Sequence, residues 1–144
     1  MLTPKEKIKI EYMLKRILVI DNDPGILDAM QEVFQYEGYE VVTEQDTSDI
    51  LAMVQQHQPD LLLIDYILNG INGGELCHQV KANYATNHLP VILMSAYPRV
   101  LQSLGHYGFD DFIPKPFDLP DLTSRVASQL HKSSVYTVNH QKAC

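Results

Sequence analysis

At 144 residues, 45% of them apolar, the chain is long enough to bury a core as one globular domain. Eleven basic against 18 acidic residues leave a formal net charge of −7, which argues against a nucleic-acid-binding surface. No stretch reaches a membrane span, no signal-peptide core forms, and two distant cysteines suit a reducing cytoplasm.

In chain order, Thr3-Pro4-Lys5-Glu6 has the form of a capping box with proline at the first helical position. Residues 4–14 can therefore start as a helix, although the alternation of Ile8, Ile10 and Tyr12 fits an extended lead-in equally well. A first strand, 16–20, runs into Asp21-Asn22-Asp23-Pro24. Asp23 before Pro24 opens a helix whose apolar face is Ile26, Leu27, Met30, Val33 and Phe34, closed by Gly38. A second strand, 39–43, precedes a helix at 47–57 with Ile50, Leu51 and Val54 inward. After Pro59 comes a third strand, 60–64, then a loop rich in Gly and Asn, and a helix at 74–83 carrying Leu76, Cys77 and Val80 inward. A fourth strand spans 91–94, a short fourth helix 98–104, a fifth strand 109–113 and a fifth helix 119–131. The chain thus divides into an extension (1–15), a domain (16–132) and a polar tail (133–144) with no room for an output module. Strands alternating with helices predict right-handed βαβ units and a doubly wound α/β fold, a parallel sheet with helices on both faces.

Four apolar runs end on a polar residue that handles phosphate or metal: Asp21, Asp65, Ser95 and Lys115. Ligands of such sheets bind outside the carboxyl ends of the strands, so these four are expected on one rim. Paired carboxylates suit Mg²⁺, with waters and phosphate oxygens completing an octahedron. A carboxylate can itself attack phosphorus to give an aspartyl phosphate, with the Ser95 hydroxyl and Lys115 ammonium binding phosphoryl oxygens. Asp23 is read as the helix cap and not as a ligand. The six histidines lack paired spacing and are read as surface residues.

The segments ILVIDNDPGIL (17–27), PDLLLIDYILNGINGGELC (59–77), LPVILMSAY (89–97) and DDFIPKPFDLPDL (110–122) resemble those of response-regulator receiver domains. The resemblance covers roughly residues 16 to 131, in family order and at similar spacing. It implies a flavodoxin-like five-stranded sheet of order 2-1-3-4-5. It implies Asp65 as phosphoacceptor from a sensor histidine kinase or a histidine phosphotransfer protein, and Asp21, Asp65 and the Ile67 carbonyl as ligands of Mg²⁺, or of Mn²⁺ in its place. Ser95 and Lys115 match the family's hydroxyl and lysine positions, Lys115-Pro116 a bond commonly cis, and Phe112 the aromatic switch. The implied protein is a stand-alone signalling domain, promoting only its own phosphorylation and dephosphorylation. It addresses a downstream protein through the face formed by helix four, strand five and helix five, with a second copy of the chain as a further partner. Asn22 departs from the family, standing where a second acid is usual, so it becomes a weakened metal ligand. Asn69 replaces a common proline, and the segment from 97 to 108 is short by about a turn. Two alternatives stand beside this reading. One is a degenerate receiver that binds partners without phosphorylation, supported only by Asn22. The other is a haloacid-dehalogenase-type phosphatase using Asp21-Asn22-Asp23, against which motif order, chain length and an idle Asp65 all count.

Overall fold

The computed structural model describes residues 1–7, 14–97, 99 and 107–142. Five parallel strands form one sheet: β1 (Arg16–Ile20), β2 (Glu40–Glu44), β3 (Leu61–Asp65), β4 (Val91–Ser95) and β5 (Asp111–Pro114). Their order is β2-β1-β3-β4-β5, the predicted doubly wound arrangement. Every residue of β3 and β4 is buried, as strands covered on both faces must be.

Period-two alternation sorts these strand residues between two cores. On one face Leu18, Ile20, Leu62, Ile64 and Leu93 pack with Ile50 and Val54 of α2 (Ile50–His57) and with Leu76, Cys77 and Val80 of α3 (Gly73–Ala82). On the other, Ile17, Val19, Leu63, Ile92 and Met94 meet Leu27, Met30 and Phe34 of α1 (Pro24–Tyr36) and Leu122, Val126 and Leu130 of α4 (Leu119–Lys142).

Local chemistry fixes the element ends. The Asp23 side chain caps α1 by accepting from the Gly25 N–H, and the positive φ of Gly38, 94°, turns the chain out of that helix. α2 begins at Ile50, three residues later than predicted. Thr47 bonds the Asp49 N–H and Asp49 caps Ala52, so hydroxyl and carboxylate keep 47–49 in a turn. At the N-terminus, Thr3 and Glu6 exchange hydrogen bonds of 2.7 and 3.1 Å, and residues 4–7 are helical. The extended alternative for 8–13 lies outside the described residues. So does almost all of the fourth helix predicted at 98–104.

Two expectations are corrected. β5 starts at Asp111 and not 109, because pairing with β4 begins at Asp111 opposite Ile92. α4 continues to Lys142, so residues 133–142 belong to a helix where the sequence predicts a polar tail. That stretch has no Gly or Pro to stop it, and lengthening a helix is far easier than starting one. Among the described residues no helix is long and apolar enough to cross a membrane.

Candidate functional site

Ile20 of β1 and Ile64 of β3 are paired in register, so the next residue of each strand, Asp21 and Asp65, leaves the sheet at the same level. Asp21 is fully buried and Asp65 is 6% exposed. Lys115, just past β5, reaches both: its Nζ lies 2.7 Å from Asp21 Oδ2 and 3.1 Å from Asp65 Oδ1. Three groups predicted on one rim from residues 94 positions apart thus meet at one ammonium. The remaining Asp21 oxygen, Oδ1, accepts from the Asp23 N–H at 2.9 Å. Backbone bonds steady the frame, with the Asp21 N–H donating to Glu44, Tyr66 to Met94 and Lys115 to Ser95. The Lys115–Pro116 peptide is cis.

The charges are unequal in comfort. Burial first, and then the neighbouring Asp21 charge, push the Asp65 carboxyl above its ordinary range against the lowering effect of Lys115. Burial would push the Lys115 ammonium down, but hydrogen bonds and charge from Asp21 and Asp65 outweigh it and hold it up. Two carboxylates share one cation, and their residual repulsion is what a divalent cation would relieve. Among the described residues no group of three or more His, Cys, Asp or Glu gathers to hold a metal. Any cation here would bind the two carboxylates and make up its shell from amide, carbonyl and water oxygens. That donor set fits Mg²⁺, which binds through one or two carboxylates and keeps several waters.

The other candidates are placed as follows. Ser95 is fully buried at the end of β4, and its Oγ accepts from the Tyr97 N–H at 2.9 Å. Asn22 and Ile67 are exposed at the rim, Ile67 at 47%. Phe112 of β5 is half-buried, its ring 6.4 Å from that of Phe109. Asp23, occupied with its cap, stands outside the cluster.

Sequence reasoning missed the residues that shape the loop after Asp65. A Cβ on Gly73 would stand 2.1 Å from the Asp65 carbonyl oxygen, so only glycine lets α3 start this close to the end of β3. Gly74 and Tyr66 both pack against Tyr107. The paired glycines at 73–74 were the available signal, but the loop's composition disguised them as turn residues.

Comparison with known proteins agrees with this fold. The model of the response regulator receiver domain matches residues 17–127. The DNA-binding response regulator MtrA of Mycolicibacterium smegmatis is 32% identical over 126 residues, covering 86% of this chain and 54% of MtrA. The chain spans about half the length of the curated relatives it matches. A CheY-like receiver domain protein of Methanospirillum hungatei superposes with a TM-score of 0.76 at 28% identity, over 85% of this chain and 98% of that one. The response regulator TrrA of Thermotoga maritima, solved in complex with Mg²⁺-BeF, gives 0.73 at 28% identity, over 81% and 99%. With its sheet order, its rim of two carboxylates and a lysine, and a family match over most of its length, the chain belongs to the response regulator receiver domains of two-component signalling.

Proposed function

We propose that Asp65 accepts a phosphoryl group from a phosphohistidine on a sensor kinase or phosphotransfer protein, in a Mg²⁺-dependent reaction. The observation that carries this reading is the convergence of Asp21 and Asp65 on the Lys115 ammonium, within 3.1 Å, at the carboxyl rim of the sheet. An Asp65 carboxylate oxygen attacks phosphorus, a P–O bond forms, the P–N bond breaks, and the electron pair returns to the donor imidazole. Bound Mg²⁺ would supply positive charge beside the phosphoryl oxygens, and the donors for it are Asp21, Asp65, the Ile67 carbonyl and the weaker amide of Asn22. TrrA, solved in complex with Mg²⁺-BeF, supports Mg²⁺ as the cation.

Lys115 pairs with Asp65 before transfer, so its ammonium is positioned to pair with a phosphoryl oxygen afterwards. The Ser95 hydroxyl accepts from Tyr97 and keeps its own proton for the phosphoryl group. Engagement of Ser95 draws the half-buried Phe112 ring inward and changes the β5 and α4 surface that a downstream partner reads. DNA binding is in the name of MtrA and is said of that protein; a net charge of −7 suits this chain to protein partners.

Incubation with acetyl phosphate or phosphoramidate tests the reading. Labelling is expected in Mg²⁺, absent with chelator, and absent in Asp65→Asn. Failure to label at high Mg²⁺ would leave the degenerate, phosphorylation-independent receiver as the better account.

A further inference from the structure

The loop that follows Asp65 is closed at its base, with the Gly73 N–H donating to the Tyr66 carbonyl at 2.8 Å. The side chain of Tyr66, the residue next to the acceptor, is buried at 6% exposure in the core shared with α2 and α3. Its ring centre lies 6.3 Å from that of Tyr107, the planes tilted by 49°, within the range of favourable aromatic pairing. Tyr107 is held from two further sides. Its carbonyl accepts a weak bond from the Cys77 thiol of α3 at 3.6 Å. Its ring lies over Gly74, where a Cβ would meet ring carbons at 2.5 to 2.7 Å. Gly74 has no positive φ to explain it, unlike Gly38, Gly70 and Gly108. Its missing side chain is the space that the ring occupies. Burial first, then hydrogen bonding to Tyr107, pushes the Tyr66 phenol up to about 12.

We propose that Tyr107 is a positioning residue for phosphoryl transfer to Asp65: wedged between α3 and Tyr66, it holds the residue directly after the acceptor and thereby the loop carrying the Ile67 carbonyl. The inference rests on the reading of Asp65 as acceptor. Tyr107 works through Tyr66 and not on the phosphoryl group. Its leverage comes from the steep dependence of transfer on placement, where about 1 Å of error can cost ~10²-fold in rate.

The test is the rate constant for labelling of the 144-residue chain by phosphoramidate at saturating Mg²⁺, with thermal unfolding measured on each variant. Tyr107→Ala is expected to slow labelling roughly tenfold, inside that limit, and Tyr107→Phe, which keeps the ring, to slow it less. Gly74→Ala pushes the same ring away from the other side. It should slow the otherwise unaltered chain comparably and add little once Tyr107 is alanine. A purely structural loss would lower the rate constant only by the folded fraction that the melting curve gives, and sucrose would restore it. An unaltered rate constant in folded Tyr107→Ala overturns the proposal, as does an equal, additive effect of Gly74→Ala in both backgrounds. Should Tyr107→Ala fail to fold, Gly74→Ala and Tyr107→Phe decide: an unaltered rate constant in both overturns the proposal. Absence of labelling in the unsubstituted chain would remove the acceptor reading and this inference together, whereas an effect missing only from the Tyr107 and Gly74 variants removes this inference alone.

Discussion

Asp65 ionises against its surroundings. Folding buries it beside Asp21, and one ammonium serves both carboxylates. Because its folded-state pKa is raised above the ordinary 3.8, its favourable contribution is full below that value and is lost as pH rises through the folded value. Asp65→Asn should therefore raise the melting temperature of the metal-free protein at pH 7, since Lys115 keeps its 2.7 Å partner in Asp21. The gain should disappear below about pH 4; a variant that melts lower at pH 7 would show that the ion pair outweighs burial and repulsion. Mg²⁺ should raise the melting temperature of the unsubstituted chain more than that of Asp65→Asn, by mass action on the folded state. Asn22 is exposed at the same rim and carries no charge. Asn22→Asp should tighten Mg²⁺ binding by roughly tenfold, read by titration calorimetry, because ligand charge sets affinity at such sites. Unchanged affinity would place the Asn22 side chain outside the metal's coordination sphere.

At the scale of elements, short-range chemistry decides where each helix begins. Asp23 next to Asp21 is the instructive case, because two neighbouring carboxylates are separated by backbone geometry into a buried site residue and an exposed cap. Asp23→Ala should lower stability by about 1 kcal/mol in a denaturant titration and leave Mg²⁺-dependent labelling intact. Loss of labelling at unchanged stability would move Asp23 into the site. The cap was legible in Asp-Pro, and β1, β3 and β4 in their apolar runs. Two helix boundaries were not. The start of α2 depended on Thr47 and Asp49 choosing a turn over a helix, a competition that propensity alone leaves nearly balanced. The end of α4 depended on propagation through a polar stretch that offers no apolar face to read.

Over the whole molecule, stability resides in two cores pressed on one sheet, with β3 in the middle of both. Leu63, fully buried, should cost about 2 to 5 kcal/mol as Leu63→Ala, measured by urea unfolding. Cys77 offers a probe of opening in the other core. Burial first pushes its thiol from 9.0 up to about 12, so native Cys77 should resist alkylation at pH 8 and react once urea unfolds the chain. Its contribution to stability is complete below pH 9.0 and falls as pH rises from there through about 12. Ready alkylation of folded protein, mapped to Cys77 by mass spectrometry, would show that α3 opens locally.

The sequence by itself determined the strands, their order by resemblance, and the rim, because apolar runs and strand-end residues are written in consecutive positions. Even the capping role of Asp23 was readable from the proline that follows. Tertiary structure decided what no local window contains: that a single ammonium bridges both carboxylates, that α3 begins against the Asp65 carbonyl, and that the Tyr107 ring takes the place of a side chain on Gly74. Each depends on residues far apart in the chain arriving within a few ångströms. A glycine's reason lies in the atoms that fill its empty space, and those atoms belong to another part of the fold.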